Sequence, residues 1–450
     1  MTQPAARCPA LLIAAPASGQ GKTTVTAALA RLHTRRGLRV QVFKCGPDFL
    51  DPHWHQLASG QPVHQLDLWM NGEADCRQRL HAAAQSNDLI LIEGVMGLFD
   101  GSPSAADLAR HFGVPVLAVV DASAMAGTFG ALAYGLRHYR PGLPWAGVLA
   151  NRVGSARHAD MLRDGLHDAD DWMGALMRVS HGDAPAASKQ GAALLPERHL
   201  GLVAAHELAD SAQRLDAAAD ALAATPLGQM TAQDLQRWAV DFPAPDNTTP
   251  VPALLAGRTV AVGRDAAFCF TYAANLQTLE QLGARVVFFS PLDDAALPEC
   301  DAVWLPGGYP ELHTDRIAAN TGMKASLMAH VLQRKPLWAE CGGMMALFES
   351  ITLTDGTQHP VWGLLPGHVT VHKRLAALGP QQLVVDGHTL RGHTFHYSTA
   401  QSDAPVVSRT SRPDEPVAAD AGEALYRLGS IHASYFHAWF PSSPVAVARL

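Results

Sequence analysis

Two hydrophobic patterns alternate along the first part of the chain: short apolar runs of strand length, and longer segments in which apolar residues recur at helical spacing. The apolar runs lie at residues 10–15, 40–44, 89–95, 114–120 and 147–151. Such runs, separated by helical patterns, predict strands that alternate with helices. This order is typical of a parallel sheet with helices on both faces, so the predicted fold class is α/β.

The same alternation begins again after a segment rich in proline and small polar residues, at 242–252. The second half predicts strands at 259–262, 285–290, 302–305 and 337–340, and helices at 271–283 and 322–333. We therefore predict two domains, residues 1–243 and 256–450, joined by a linker at 244–255. The apolar and aromatic segment 431–440 is predicted to be buried.

The loop after the first strand has the layout of a phosphate-binding P-loop. Gly21, Lys22 and Thr23 open a helix, and Pro16 stands where the commonest form of this loop has its first glycine. In this layout, backbone N–H groups and the helix N-terminus face the phosphates, the lysine reaches the β- and γ-phosphates, and the threonine hydroxyl binds Mg²⁺. The predicted nucleotide-binding residues of this loop are Ser18, Gly19, Gln20, Gly21, Lys22, Thr23 and Thr24.

Acidic residues follow two strands that are predicted to end at the same sheet edge as the P-loop. Asp48 and Asp51 follow the strand at 40–44, and Glu93 and Asp100 follow the apolar run that begins at residue 89. Ligands of open α/β sheets bind beyond the carboxyl ends of the strands, and Mg²⁺ prefers oxygen ligands. Asp48 and Glu93, together with Thr23, are therefore predicted to hold the metal. Asp51 and Asp100 are equally well explained as solvated turn residues or helix caps.

A strand, a sharp turn and a helix surround Cys341 in the second half. A nucleophile at such a turn stands clear of the sheet, and the helix N-terminus lowers its pKa. This turn alone leaves a buried structural cysteine as the simpler interpretation. Gly307 and Gly308, which follow an earlier strand, favour catalysis because their N–H groups are candidates for an oxyanion site. A base is still needed, and the candidate histidines are His393, His396, His432 and His437.

Composition excludes several other classes of protein. The chain has 450 residues, 48% of them hydrophobic, and a net charge of -7, which argues against a nucleic-acid partner. Its apolar runs are far shorter than the ~20 residues of a membrane span, and the N-terminus does not resemble a signal peptide. The six cysteines show no CxxC pairing, which indicates reduced thiols and a cytoplasmic location.

Taken together, these segments resemble the cobyrinic acid a,c-diamide synthases, which are glutamine-dependent amidotransferases of corrinoid biosynthesis. The resemblance covers nearly the whole chain, and two runs are specific to this group: Pro-Glu-Arg-His-Leu-Gly-Leu at 196–202 and Gly-Gly-Tyr-Pro-Glu-Leu at 307–312. The other segments that carry it lie at 15–24, 46–52, 93–101, 265–270, 289–292, 340–343, 392–398 and 434–440.

The resemblance implies a fold and a two-part reaction. The N-terminal domain is expected to be a parallel sheet similar to that of dethiobiotin synthetase. The C-terminal domain is expected to be a glutamine amidotransferase domain with a flavodoxin-like sheet. In the C-terminal domain a cysteine releases ammonia from glutamine through a thioester. In the N-terminal domain ATP, with Mg²⁺, phosphorylates a carboxylate that the ammonia then attacks, and the a and c acetate groups of cobyrinic or hydrogenobyrinic acid are amidated in turn.

The resemblance also assigns individual roles. It places the nucleophile at Cys341 and the catalytic histidine at His437, with His432 as second choice. A related class of amidotransferases has a glutamate two residues after this histidine, where this chain has Trp439. A Cys–His dyad with an unidentified orienting group is therefore the better expectation. Asn151 is expected near the adenine.

The broad, carboxylate-rich substrate implied by the resemblance needs basic groups for its several carboxylates, and Arg198 and His199 are candidates. Ordinary loop packing explains these two residues equally well. Asp51 and Asp100 are expected either to steer this substrate or to order their loops. Small molecules are thus the expected partners, with neither nucleic acid nor a membrane involved, and an ammonia tunnel between the domains and a homodimer are expected from comparable enzymes.

Three alternatives stay open at this point. A P-loop ATPase of the positioning or switch type would carry an extra lysine early in the loop, which 15–17 lacks, and would leave Cys341 unexplained. Cobyric acid synthases amidate other side chains of the same ring, and another amidase acts on a nickel-bearing sirohydrochlorin. The run at 196–202 favours the a,c-diamide group over both.

Overall fold

The structure, a computed structural model, describes residues 4–178, 208–245, 250–418 and 421–450, and the backbone alone of 197–198 and 201–202. Contacts divide the chain into two compact units, Met1–Thr248 and Thr249–Leu450. The division falls inside the segment 244–255. In the part of the chain that is described, no helix combines the length and the apolar character that crossing a bilayer requires.

The first unit is built on an eight-stranded sheet. Its strands are β1 Ala6–Ala14, β2 Val40–Cys45, β3 His64–Leu66, β4 Leu89–Glu93, β5 Val116–Asp121, β6 Trp145–Val153, β7 Trp172–Met177 and β10 Ala239–Phe242, while β8 Glu197–Arg198 and β9 Gly201–Leu202 form a separate pair. Its helices are α1 Lys22–Arg35, α2 Asp51–Ser59, α3 Glu73–Ser86, α4 Ala105–Phe112, α5 Thr128–His138, α6 Ala156–Asp164, α7 Ser211–Ala223 and α8 Pro226–Gln229.

Seven of these strands run parallel in the order β3-β2-β4-β1-β5-β6-β7, and both faces of the sheet are buried. On one face Leu11 and Ile13 pack with Val25 and Leu29 of α1, and on the other Leu12 belongs to a second apolar cluster. Burial on both sides explains why these strands are continuous apolar runs. In the sheet register, Glu93 of β4 lies beside Ile13 of β1 on one side and beside Lys44 of β2 on the other. The ends of β1, β2 and β4 therefore meet at one edge of the sheet.

The second unit contains a seven-stranded sheet and two smaller ones. The large sheet has the order β12-β11-β13-β14-β23-β22-β21, and its first five strands are parallel. The strands are β11 Thr259–Gly263, β12 Arg285–Phe289, β13 Ala302–Leu305, β14 Leu337–Glu340, β15 Ser350–Thr352, β16 Gln358–Pro360, β17 His368–Val371, β18 Ala377–Val385, β19 His388–His396, β20 Ser398–Gln401, β21 Val406–Arg409, β22 Ala424–Leu428, β23 Ile431–Ser434 and β24 His437–Ala438. The helices are α9 Ala273–Gln281, α10 Thr314–Ala319, α11 Thr321–Leu332, α12 Gly342–Met345 and α13 Pro444–Val447.

The predicted α/β fold class is confirmed. The predicted strands and helices are present, β13 and β14 with the predicted ends and the others with shifted ends. The largest shift is at β1, which begins at Ala6 rather than at residue 10 because Ala6 to Pro9 pair antiparallel with β10. The segment 431–440 is buried as predicted, with Phe436 and Trp439 fully enclosed. The sequence did not predict β15 to β22, which lie between Cys341 and His437 and contain many exposed polar positions.

Candidate active sites

The P-loop connects the end of β1 to the start of α1, and its shape depends on glycine. Gly21 has a φ of 98°, in the left-handed region, and a Cβ at this position would lie 2.2 Å from Asn151 Nδ2. Asn151 Nδ2 donates a hydrogen bond to the Gln20 carbonyl at 2.8 Å, and Gln20 Oε1 accepts one from the Asp121 N–H at 2.8 Å. Asn151, predicted from the resemblance to lie near the adenine, therefore braces the P-loop itself.

We expect Gly21→Ala to weaken nucleotide binding strongly, because the new methyl group displaces Asn151 and the backbone strain alone costs about 1 kcal/mol. Isothermal titration with an ATP analogue measures the effect. Gly37→Ala is the matched control, since Gly37 has a similar φ of 87° but no atom within 4 Å of a Cβ. This control is expected to lose stability without losing affinity. Equal affinities for the two variants would contradict the role of the Gly21–Asn151 contact.

Lys22, at the start of α1, lies against carbonyl groups of two loops. Its Nζ donates to the Met96 carbonyl at 2.7 Å and to the Ala17 carbonyl at 3.3 Å. The side chain is buried, and burial lowers its pKa. These partners are backbone oxygens rather than carboxylates, so the ammonium charge is not neutralised by a salt bridge within 4 Å among the described residues.

Glu93, the last residue of β4, accepts hydrogen bonds from both sides. Thr23 Oγ1 donates to Glu93 Oε1 at 2.7 Å, and His55 Nε2 lies 2.5 Å from Glu93 Oε2. Burial raises the pKa of Glu93, but the Lys44 ammonium and the contacts with His55 and Thr23 outweigh it and lower the pKa to about 2. Glu93 is therefore ionised, and its carboxylate and the Thr23 hydroxyl converge on one point.

Lys44 is a buried cation that the sequence analysis missed. Its Nζ lies 2.8 Å from Asp51 Oδ2, 3.3 Å from Glu93 Oε1 and 3.9 Å from Asp48 Oδ2. Burial lowers its pKa, but these carboxylates more than compensate and raise it well above the usual value. Burial, and then the nearby Asp51 carboxylate, raise the pKa of Asp48 to about 7. The acidic cluster is therefore partly neutralised by the protein itself.

The oxygen ligands offered by Thr23 and Glu93 fit a Mg²⁺ ion that takes most of its ligands from phosphate and water. Among the residues that the structure describes, no three His, Cys, Asp or Glu side chains are grouped as a protein-only metal site. Mg²⁺ in nucleotide sites usually takes only one or two carboxylates, so the pairing of Thr23 with Glu93 suits it.

Asp100, the fourth of the predicted acidic residues, has a hydrogen-bond partner in its own loop. Asp100 Oδ2 accepts a hydrogen bond from the Gly97 N–H at 2.8 Å, which closes a turn in the loop after β4. The Arg198 side chain and the whole of His199 lie outside the described residues, and only the backbone pairing of Arg198 with Gly201 is given.

Cys341 lies at the junction of β14 and α12, with a φ of 45° and a ψ of −108°. A non-glycine residue in this conformation stores backbone strain, which is typical of functional sites. The two glycines that follow pack too closely for a side chain: a Cβ on Gly342 would lie 2.7 Å from the Gly308 carbonyl oxygen, and one on Gly343 would lie 2.2 Å from that of Leu305. The predicted sharp turn is therefore present, packed against the segment that contains Gly308.

The Cys341 thiol is enclosed, with 5% of the residue exposed. Burial raises its pKa, and so does the nearby Glu311 carboxylate, although the Gly342 N–H lowers it. Tyr435, whose hydroxyl lies 2.9 Å from Ser398 Oγ, is a neighbour of Cys341. The thiol is therefore protonated in this state, and a base is needed to form the thiolate.

His437 is placed beside the glycines of the predicted oxyanion site. A Cβ on Gly307 would lie 2.5 Å from His437 Cε1, and Gly308 is adjacent to Gly342 of the sharp turn. The backbone links the same parts, since the Cys341 N–H donates to the Ser434 carbonyl at 2.8 Å, three residues before His437. His437 therefore belongs to the same group of residues as Cys341, Gly307 and Gly308.

The other candidate histidines have different surroundings. His432 pairs with Trp338 in the sheet register, further back along β14 than Cys341. His396 has both ring nitrogens engaged, Nδ1 with the Ser398 carbonyl at 2.7 Å and Nε2 with Glu423 at 3.0 Å. His393 stacks on His437, with ring centroids 4.9 Å apart. None of these three lies against Gly307 as His437 does.

Comparisons with known proteins cover both units. Residues 11–187 match the CobQ/CobB/MinD/ParA nucleotide binding domain, and residues 259–445 match the CobB/CobQ-like glutamine amidotransferase domain.

Curated relatives match along the whole chain. A hydrogenobyrinate a,c-diamide synthase of Pseudomonas aeruginosa is 54% identical, over 100% of this chain and 98% of the relative. One of Stutzerimonas stutzeri is 55% identical, over 98% of each. A cobyrinate a,c-diamide synthase of Herminiimonas arsenicoxydans is 46% identical, over 100% of this chain and 98% of the relative.

Proposed function

The chain belongs to the family of hydrogenobyrinate and cobyrinate a,c-diamide synthases, which are amide-forming ligases that use glutamine, and we propose that it amidates the a and c acetate carboxylates of hydrogenobyrinic or cobyrinic acid. One observation carries this proposal: a P-loop and a strained nucleophile turn occur in the same chain, each supported by the contacts described above. The two relatives of 54% and 55% identity are named for hydrogenobyrinate, which supports the metal-free ring as substrate.

In the proposed glutaminase reaction, His437 accepts the Cys341 thiol proton and the thiolate attacks the side-chain amide carbon of glutamine. In this reaction the N–H groups at Gly307 and Gly308, which lie beside His437 and the Cys341 turn, stabilise the oxyanion that develops on the amide oxygen. His437 then returns the proton to the leaving nitrogen, so that ammonia departs and a thioester remains. Water hydrolyses the thioester to glutamate and restores the thiol.

In the proposed synthetase reaction, an oxygen of the substrate carboxylate attacks the γ-phosphorus of ATP, giving an acyl phosphate and ADP. Ammonia then attacks the acyl carbon, and inorganic phosphate leaves with the formation of the amide. Lys22 and the N–H groups at the start of α1 are positioned to balance the charge of the transferred phosphoryl group. Thr23 and Glu93, with Asp48 nearby, would hold Mg²⁺, which offsets negative charge on the phosphates when bound.

We further propose supporting roles for the remaining residues of the N-terminal unit. Residues 18–24 form the nucleotide cradle and Asn151 fixes its shape. Asp51 holds Lys44 in place, and Asp100 orders the loop after β4. Arg198 remains a candidate for binding substrate carboxylates.

We also propose a cytoplasmic location, supported by six cysteines that are all free thiols. The homodimer remains a prediction.

The test is a reaction of the purified protein with MgATP, glutamine and either hydrogenobyrinic or cobyrinic acid, followed by mass spectrometry. Each amidation replaces a hydroxyl group by an amino group, so two successive losses of one mass unit are expected. Glutamate and ADP should form in step with the product. Hydrolysis of glutamine and ATP with no change in mass of either ring would refute the proposed substrate.

A further inference from the structure

Glu340, the residue directly before Cys341, is a buried carboxylate that the reaction above does not use. It is 2% exposed and is the last residue of β14. Alternation along the strand puts Trp338 and Glu340 on one face, and Trp338 Nε1 donates to Glu340 Oε1 at 2.7 Å. The Ala438 N–H lies 3.4 Å from the same oxygen. The Trp304 side chain also favours the ionised form of this carboxyl. Burial of a carboxylate is costly unless the group has partners, so the surroundings of its second oxygen, Oε2, matter as well.

That second oxygen, Oε2, lies 4.0 Å from Nδ1 of His437. This is an ion-pair distance rather than a hydrogen bond, and catalytic hydrogen bonds are often long before substrate binds. The contacts of Oε1 with Trp338 and Ala438 hold the carboxylate in place. Trp439 occupies the position where a related class of amidotransferases carries its orienting glutamate. The structure thus provides a different carboxylate for the same imidazole.

We propose that Glu340 is the positioning residue of His437: it accepts a hydrogen bond from Nδ1–H and fixes the ring in the orientation in which Nε2 takes the thiol proton of Cys341. This inference rests on the proposed glutaminase reaction and names the orienting group that the Cys–His dyad lacks. When the proton moves from sulfur to Nε2, the imidazolium gains a carboxylate partner.

The charges around this pair make such a partner necessary. Burial, and then the neighbouring His393 and His396, lower the pKa of His437 well below its usual value, which disfavours the imidazolium. Burial raises the pKa of Glu340 to about 8, so a cation forming beside it would draw the carboxyl towards its ionised form. The other titratable groups near Cys341 or this pair are His393, His396, Glu311, Glu423 and Tyr435.

Glu340→Gln tests the proposal with little change in shape. The glutamine oxygen can still accept from Trp338, but its amide nitrogen donates towards Nδ1 and so favours the tautomer that carries a proton on Nε2. We expect kcat for glutamine hydrolysis to fall about 100-fold or more, with KM for glutamine nearly unchanged. The alkaline rise in the rate of Cys341 alkylation should shift to higher pH. Glu340→Asp, which keeps a carboxylate, is expected to recover part of kcat.

Stability separates positioning from a merely structural role. Because burial raises the pKa of the Glu340 carboxyl from 4.5 to about 8, this group costs the folded state increasing stability as the pH rises through that interval. Glu340→Gln lacks this cost. Its melting temperature should therefore exceed that of the wild type at about pH 8 and approach it near pH 5, while activity is lost at both.

Glu423→Gln is the matched control, since it removes a half-buried carboxylate that faces His396 instead of His437. It is expected to change kcat for glutamine hydrolysis by no more than about fivefold. Amidation with ammonium salt in place of glutamine should proceed in all three variants at the wild-type rate.

Two failures are distinguishable in this design. A wild-type protein that does not hydrolyse glutamine would refute the proposed function. A wild-type protein that does so, with a Glu340→Gln variant that keeps its kcat and alkylation profile, would refute the role of Glu340 alone. A fall in kcat of equal size in Glu423→Gln would also refute it, because the effect would then follow from any buried carboxylate near the thiol.

Discussion

Glutamine-dependent amidation is expected to disappear in Cys341→Ser, while amidation with ammonium salt continues at the wild-type rate. A serine hydroxyl beside the same histidine is a far weaker nucleophile towards an amide, and removal of an activated nucleophile costs about 10⁴-fold or more in kcat. The substitution is nearly isosteric, so the strained turn is expected to survive. Release of glutamate and formation of diamide, each measured with glutamine and with ammonium salt, give the comparison.

Cys300→Ser is the matched control for this experiment. Cys300 is a buried thiol of the same unit whose sulfur lies 3.9 Å from His330 Nδ1, so it also combines a cysteine with a histidine. It lies outside the strained turn, and no glycine pair surrounds it. Cys300→Ser is expected to amidate at the wild-type rate with glutamine and with ammonium salt. Undiminished glutamate release by Cys341→Ser would contradict the glutaminase reaction proposed above.

The parts of the sites that the sequence predicted are those in which neighbours in the chain are also neighbours in space. The P-loop is one strand, one loop and one helix N-terminus, and the turn at Cys341 joins a strand to a helix that begins with two glycines. In both cases the special backbone geometry demands particular residues, such as Gly21 and Gly342, within a few positions. Local geometry of this kind is readable from a sequence without knowledge of the fold.

The parts that it missed depend on which strands lie side by side. Lys44 reaches Glu93 because β2 pairs with β4, and His55 reaches it from α2; a single sequence reveals neither neighbour. Glu340 is another residue whose partner the sequence does not reveal. It stands beside Cys341 in the chain, but its partner His437 comes from the segment after β23, and the fold alone brings them together.

The strand β10 shows that a pairing partner can decide secondary structure where the local sequence does not predict it. Residues 239–242 end at the first residue of the segment 242–252 and carry no strong strand pattern, yet they form β10. They do so because the first residues of β1 have no other partner on that side, and unpaired backbone groups next to a core are costly. The Pro-rich composition itself begins only after this strand.

Replacement of two lysines at the N-terminal site is expected to have different effects: loss of Lys22 lowers the amidation rate, and loss of Lys44 lowers stability. Lys22→Met should remove amidation with either nitrogen source, by about 10³-fold or more, because the ammonium balances charge that develops on the transferred phosphoryl group. Folding should be nearly unaffected, since the hydrogen bonds that Nζ makes to described residues go to the carbonyls of Ala17 and Met96. Hydrolysis of glutamine by the other unit should persist.

Lys44→Met is the contrasting variant, because Lys44 neutralises the buried Glu93 carboxylate and the half-buried Asp51. Its loss leaves Glu93, which is 1% exposed, and Asp51 without their ammonium partner. Breaking a buried ion pair from one side typically costs about 3–5 kcal/mol, so this variant should melt at a clearly lower temperature. Thermal unfolding followed by circular dichroism, alongside the amidation rate with ammonium salt, separates the two lysines. A Lys22→Met protein that amidates at the wild-type rate would show that the P-loop does not serve phosphoryl transfer.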